Sequence, residues 1–364
     1  MIPMEKIRML GRYALAEGEL WMASSLCEAG FRLKGASGLL LRLKADDTVT
    51  DPERTHLTPR YAVRVNGKLF RDAHLTQKEE TVSVPADVLG GDAEVRLIKL
   101  TESTQSIFAL TDIRTDGEMT PLPLRKERIS FIGDSITCGY GVEAKSGLET
   151  FSTRTENAEK SYAALAADAL GMDRELVCFS GHGIVSGWTG DPDQRNVTEL
   201  APLYYEKIGR NSQVLPGGRR LEDMDWDFSL FQPDWIVVNL GTNDLSWCKD
   251  FQDRKAMFRK EYASFLRTVR RRNPEAKILC VLGLMGGGLN EEMVQAVKDA
   301  SANGDAGIQT LTVPPQDGEK DGFGADFHPS EITQRRLAEW VVQAIREGDR
   351  GRFSVSSGNR GRFL

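Results

Sequence analysis

No apolar run in this chain approaches the roughly 18 residues that a bilayer-spanning helix needs, which excludes a helical membrane protein. A basic excess is missing too. The 47 Lys and Arg against 53 Asp and Glu leave a net charge of −6, the wrong sign for a nucleic-acid-binding surface. Cysteine is sparse: Cys27, Cys138, Cys178, Cys248 and Cys280 are odd in number and far apart. With no CxxC pair and no Cys/His cluster at zinc spacing, they read as reduced, mostly buried thiols, and no metal or other cofactor is expected. Cys138 is read as a packed thiol despite its closeness to Ser135. The first residues, MIPMEKIRMLGRYALAEGEL, contain no uninterrupted apolar stretch and no small-residue cleavage site. A cytoplasmic location is the expectation that follows. Histidine is scarce, with four in 364 residues. That scarcity later narrows the chemistry.

What is present is the balance of a soluble globular protein, 40% hydrophobic and 27% charged, long enough for one large or two ordinary domains. Residues 1–125 read as short β segments between turns, among them 39-LLLRLKA-45, 61-YAVRVNGKLF-70, 81-TVSVPA-86 and 94-EVRLIKL-100. Asn66-Gly67 is a tight hairpin signal. Alternation at Tyr61, Val63 and Val65 predicts a half-buried antiparallel strand, and the whole region a β-sandwich. The segment 115–128, with its prolines and charges, reads as a linker.

From residue 126 to 348 strand-length apolar runs alternate with amphipathic stretches. The runs are 129-ISFIG-133, 176-LVCFS-180, 235-WIVVNL-240, 277-KILCVL-282 and 308-IQTLTV-313. Helices are predicted over 161–170, stopped by Gly171, over 251–273, and from an N-cap at Ser330 to Gly348. Strands apolar on both faces and separated by helices imply a parallel sheet covered on both sides. Ligands in such sheets bind beyond the carboxyl ends of the strands. The tail 349–364 completes a small repeat, GDRGRF and GNRGRF; in an acidic chain it reads as a loosely docked or disordered end rather than an RNA contact.

Three motifs fall at those carboxyl ends. Ser135, in 131-FIGDSITCGYG-141, follows the first run; a serine hydroxyl becomes a nucleophile only beside a base. His56 and His74 lie in the β-rich part, leaving His182 and His328 as candidates for that base. In 326-DFHPS-330, Asp326 stands two residues before His328, close enough in sequence to fix the imidazole tautomer. Oxyanion donors are available from Asn243 in 241-GTND-244 and from the glycine loop 181-GHGIVSG-187. That loop has GxGxxxG rather than GxGxxG spacing, with no helix clearly following and no acid at the usual interval, so a dinucleotide fingerprint is not supported.

Gly-Asp-Ser, a glycine loop, Gly-Thr-Asn-Asp and Asp-x-His, in that order, resemble the SGNH (GDSL-type) hydrolases. The runs 133–144, 151–170, 225–244 and 326–330 are similar in particular to carbohydrate esterase family 2. The resemblance implies an N-terminal jelly-roll β-sandwich ahead of a three-layer α/β/α SGNH domain. It implies a serine esterase that removes O-acetyl groups from saccharides without a cofactor. Carried onto this chain, it implies Ser135 as nucleophile, His328 as base and later acid, and Asp326 as the third member. Ser135 N–H, Gly183 N–H and Asn243 would form the oxyanion hole, with Gly181 competing for the place of Gly183. The wider family puts its acid three residues before the histidine, a position occupied here by Ala325. Tyr140, Trp188, Trp247 and Phe327 are candidates to stack on a sugar. The expected partner is an acetylated oligo- or polysaccharide, with no nucleic acid and no membrane. Alternatives are an acyl hydrolase for lipids or other small esters, and a carbohydrate-binding module with a vestigial site.

Overall fold

In the computed structural model, which describes residues 2–302 and 304–349, the β-rich first part folds as two antiparallel sheets. One joins β1 (Arg8–Leu10), β4 (Glu28–Ala36), β6 (Arg60–Val65), β7 (Lys68–His74) and β9 (Gly91–Lys99) in the order β1-β4-β9-β6-β7. The other joins β2 (Tyr13–Ala16), β3 (Glu19–Met22), β5 (Gly38–Ala45), β8 (Glu79–Pro85) and β10 (Phe108–Thr115) in the order β2-β3-β10-β5-β8. Between the sheets lies a core that includes Phe31, Leu33, Leu41, Tyr61, Val63, Val95 and Phe108. Asn66 (φ 50°) and Gly67 (φ 76°) make the turn that joins β6 to β7, as the hairpin signal predicts.

Two expectations for this region are corrected. Residues 115–128 are not purely a linker, because Glu118–Pro121 forms β11, which pairs antiparallel with β4. The strand at Tyr61–Val65 is not half-solvated either. Ala62, on its other face, is fully buried with Ile98 and Leu100 in one cluster with Ile136, Cys138 and Ala158. The outer face of this sheet is therefore covered by the second half of the chain, which a strand-by-strand reading cannot foresee.

The second half is built on a parallel sheet of β12 (Arg128–Gly133), β13 (Asp173–Cys178), β14 (Trp235–Asn239), β15 (Lys277–Leu282) and β16 (Ile308–Thr312), in the order β13-β12-β14-β15-β16. The helices, in chain order, are α1 (Ala86–Leu89, in the sandwich), α2 (Ser135–Cys138), α3 (Tyr162–Leu170), α4 (Ala201–Tyr204), α5 (Thr242–Cys248), α6 (Gln252–Arg272), α7 (Asn290–Ala300), α8 (Gly318–Asp321) and α9 (Glu331–Asp349). Phe131, Val237, Leu279 and Val281 face α3 and α9. Their neighbours Ile132, Ile236, Val238, Ile278 and Cys280 face α6 and α7. Both faces of the sheet are thus dry at the central strands, the arrangement their uninterrupted apolar runs require, and the edge strand β16 is half-buried. Ser161 caps α3 and Gly171 ends it in the left-handed region (φ 70°), while Ser330 Oγ accepts the Thr333 N–H at the start of α9. The sequence reading does not anticipate α5 or α7. The tail 350–364 and its Arg-Gly repeat lie outside the described residues. Among the described residues no helix is long and apolar enough to cross a membrane.

Register places the site. Gly133 of β12 pairs with Cys178 of β13 on one side and Asn239 of β14 on the other. The chain leaves the sheet after all three at the same level, where the strand order reverses.

Candidate active site

Ser135 is the first residue of α2, directly beyond the end of β12. The turn is tight: a Cβ on Gly133 would sit 2.0 Å from Thr137 Oγ1, so only glycine fits. Asp134 caps the helix by accepting the Ile136 N–H at 3.0 Å. The Ser135 hydroxyl lies 2.9 Å from His328 Nε2. On the other side of the ring, Nδ1 is 3.2 Å from the Ala325 carbonyl. That carbonyl can only accept, so Nδ1 carries the proton and Nε2 is left as an acceptor for the serine O–H. Burial pushes the His328 pKa below its ordinary value, against an opposing pull from the Ala325 carbonyl and Asp326. A neutral imidazole facing a hydroxyl is a serine–base pair.

Asp326 does not join it. Its Oδ2 accepts from Tyr140 Oη at 2.8 Å and from the Phe151 N–H at 3.3 Å. Asp326 (φ 48°) and Phe327 (φ 59°) both adopt left-handed backbone, which turns the carboxylate away from the ring it precedes in sequence. The acceptor expected of Asp326 is supplied by the Ala325 main chain. Tyr140 has its own place: its ring lies 4.2 Å from that of His328 and stacks at 3.8 Å on Phe151.

The glycine loop is also corrected. Gly183 N–H is already given to the Glu199 carbonyl at 3.0 Å. Gly181 (φ 77°) lines the same cleft as Ser135, and among the described residues neither its N–H nor that of Ser135 is given to a protein acceptor. Asn243, in α5, lines the cleft as well; its Nδ2 donates to the His182 carbonyl at 2.9 Å and, at a longer 3.3 Å, to Asp134 Oδ2. Burial raises Asp134 to about 7. His182, the rival for the base, is occupied elsewhere: Nδ1 lies 2.9 Å from the Ser180 carbonyl and Nε2 2.9 Å from Arg210 Nη1. Burial and the neighbouring guanidinium bring it down to about 4.

The cleft has a volume of about 910 Å³. Tyr140 and Trp188 line it, and Trp188 is 62% exposed, an open indole face in the same cleft as the serine. Trp247 and Phe327 do not line it. Trp247 is buried between the guanidinium groups of Arg195 and Arg254, and Phe327 packs against Phe323 and Gly147 on the outside of the histidine loop. The sequence reading missed Asp244, although it stands inside the Gly-Thr-Asn-Asp motif. Its buried carboxylate accepts from Ile184, Val185 and Ser186 N–H at 2.9, 2.6 and 3.0 Å and so fastens the glycine loop to α5. The signal was a second acid beside Asn243, with no sequence cue to its partners.

Known proteins resemble this chain in sequence and in fold. Residues 131–336 match the GDSL-like lipase/acylhydrolase family. The chain is 36% identical over 231 residues to the cellulase/esterase CelE of Acetivibrio thermocellus, covering 62% of this chain but only 26% of CelE. It is 31% identical over 277 residues to an acetylxylan esterase/glucomannan deacetylase of Cellvibrio japonicus, covering 75% of this chain and 72% of that one. Among solved structures, a family two carbohydrate esterase from Clostridium thermocellum in complex with cellohexaose superposes with a TM-score of 0.79 at 27% identity, over 95% of this chain and all of that one.

Proposed function

Because the chain belongs to the GDSL-like lipase/acylhydrolase family, with carbohydrate esterases as its relatives, we propose that it is a serine esterase removing O-acetyl groups from saccharides. The observation that carries this reading is the 2.9 Å pair of Ser135 Oγ and His328 Nε2 at the floor of an open cleft. In the proposed cycle, Nε2 takes the hydroxyl proton as Ser135 attacks the acetyl carbonyl. The oxyanion is held by the N–H groups of Ser135 and Gly181 and by Asn243 Nδ2, whose weak 3.3 Å bond to Asp134 is the one it would exchange. The imidazolium then protonates the departing sugar oxygen as its bond to the acyl carbon breaks, and water, deprotonated by the same nitrogen, attacks the acyl-serine and releases acetate. Throughout, the Ala325 carbonyl keeps the ring oriented, so the unit is a Ser-His dyad.

The saccharide assignment draws on Trp188 and Tyr140 in the cleft that holds the serine and on the cellohexaose bound by the Clostridium thermocellum neighbour. Indole and phenol faces suit the C–H face of a pyranose. The test is hydrolysis of chromogenic acetate and longer acyl esters, followed by acetate release from acetylated xylo-, manno- and gluco-oligosaccharides. Ser135→Ala and His328→Ala are each expected to lower kcat by about 10³-fold or more. Turnover that survives Ser135→Ala overturns the mechanism. A preference for long acyl chains would point to a lipid-directed acylhydrolase instead. Oligosaccharide binding without turnover would point to a binding module.

A further inference from the structure

The sandwich touches both halves of this apparatus. Glu102, a fully buried residue just beyond β9, accepts the Ser180 N–H on Oε2 at 2.7 Å. Ser180 immediately precedes Gly181 and its carbonyl carries the His182 ring. Glu102 is itself fixed: its N–H is given to Glu156 Oε1 at 2.8 Å, and Thr104 Oγ1 donates to Oε2 at 2.7 Å.

On the histidine side the contact runs through the segment 141–157, which lies like a strap between the two parts. Arg60, at the start of β6, spends Nε and Nη2 on the two oxygens of Asp72, each at 2.8 Å. Its Nη1 reaches the strap, donating to Glu143 Oε2 at 2.7 Å and to the carbonyls of Glu156 and Arg154 at 3.0 and 3.2 Å. Thr153 adds bonds to the carbonyls of His56 and Thr58 at 3.0 and 2.8 Å. The other edge of the strap meets the histidine loop. Asp326 N–H is given to the Glu149 carbonyl at 3.1 Å, Phe327 N–H to Gly147 at 3.2 Å, and Phe151 backs the Tyr140 ring that faces His328.

We infer that the sandwich is a working part of the catalytic site, with Glu102 positioning the oxyanion glycine and Arg60 positioning the strap behind His328. The inference rests on the esterase reading above and deepens it. Neither residue reaches the reacting atoms, so each acts on the transition state through a neighbour. Removing the Glu102 carboxylate leaves the Ser180 N–H without an acceptor and frees Gly181 to drift. Removing the Arg60 guanidinium loosens the wall on which the Tyr140–His328 pair leans. Both losses fall on geometry needed in the transition state, and a chromogenic acetate without a sugar does not use the sugar-facing side chains of Tyr140 and Trp188.

The experiment measures kcat and KM for a chromogenic acetate on the full chain, with thermal melts alongside. Glu102→Ala and Arg60→Ala are expected to lower kcat by about tenfold or more with KM within about twofold, and Glu102→Gln, whose amide oxygen still accepts the Ser180 N–H, to recover most of the loss. Arg32→Ala, which breaks an exposed sandwich pair with Glu94, is expected to match the parent. If Glu102→Ala does not fold, Glu102→Met, which fills the volume without an acceptor, takes its place with the same expected loss, and if Arg60→Ala does not fold, Arg60→Lys decides. Arg60→Lys keeps the charge beside Asp72 but cannot span three acceptors on the strap, so its kcat is expected to fall. Parental kcat in folded Glu102→Ala and Arg60→Ala, or in Arg60→Lys, overturns the inference. So does a kcat loss in Glu102→Ala that Glu102→Gln reproduces in full. Ser135→Ala separates the two levels: if parental turnover does not depend on Ser135, the esterase reading fails first. If it does and the sandwich variants are silent, only this inference fails.

Discussion

An imidazole presents an unprotonated Nε2 to a serine only if its other nitrogen keeps the proton, and any fixed acceptor can hold it there. Here the Ala325 carbonyl does so at 3.2 Å, while the carboxylate of Asp326 is turned to Tyr140 and Phe151. In a Ser-His-Asp triad, exchanging the acid for its amide costs about 10⁴ in kcat. Asp326→Asn in this chain should cost about threefold or less, since the amide oxygen still accepts from Tyr140 and Phe151. Steady-state kinetics on a chromogenic acetate decides, and a loss near the triad value would mean that Asp326 swings onto the ring during turnover. A second consequence concerns pH. Burial lowers the His328 pKa, so the neutral base persists to lower pH than an exposed imidazole allows. The acid limb of kcat/KM, which reports the free enzyme, should therefore have its midpoint below about 6.5. A midpoint above that value contradicts the assigned environment. That Ser135, His328 and Asn243 meet in one cleft was legible in the sequence because each follows or precedes a strongly patterned element. Asp326 was misread because nearness in sequence does not fix direction, and two consecutive left-handed residues reverse it. Gly183 was misread for a related reason: which loop N–H stays free depends on the Glu199 carbonyl, which arrives from further along the chain.

At the scale of elements, the site exists because three loops leave neighbouring parallel strands at one level and are then tied to each other. The tie between the glycine loop and α5 is Asp244, whose carboxylate accepts three consecutive backbone N–H groups. Asp244→Ala would leave all three buried without a partner, at about 1–3 kcal/mol each. Urea denaturation should show a loss of at least about 3 kcal/mol, with kcat falling because Gly181 and Asn243 no longer share a frame. An unchanged midpoint and rate would mean that the loop holds its shape without the acid. The central strands β12, β14 and β15 were readable from runs apolar on both faces, since only a doubly covered strand tolerates them, whereas the edge strand β16 is half-buried along its length. The helix α7 was not readable, although Met293, Ala296, Val297 and Ala300 form its buried stripe. The preceding Gly-Gly-Gly and the small residues within it weaken the periodic signal. The linker reading of 115–128 failed on β11, which gains its partner only when β4 is already in place.

The whole molecule has a joint that no local pattern announces. Arg12, between β1 and β2 of the sandwich, is 1% exposed and lies among residues of the second half. Its Nη1 donates to the Tyr205 and Lys207 carbonyls, each at 2.5 Å, and its Nε faces Glu175 Oε1 at 3.5 Å. The guanidinium also sits 5.5–5.6 Å from the ring centroids of Tyr205, Trp226 and Phe228. A buried arginine is expensive to desolvate, which lowers its pKa here, and Glu175 is raised by the same burial. Such a pair adds little over an apolar contact, but losing one partner strands the other charge. Arg12→Met should therefore destabilise the protein by about 3–5 kcal/mol, the cost of an unpaired buried carboxylate, even though methionine fills part of the volume. Because the joint spans both parts, the loss should appear in one shared transition. Urea unfolding followed by tryptophan fluorescence, with Trp21 in the sandwich and Trp235 on the parallel sheet, should coincide with the loss of esterase activity in parent and variant alike. A variant that unfolds at the parental midpoint would show that Glu175 finds another partner or takes up a proton without cost. Fluorescence and activity separating into two transitions would show that the sandwich and the catalytic sheet are stable apart, and that Arg12 joins them without coupling them.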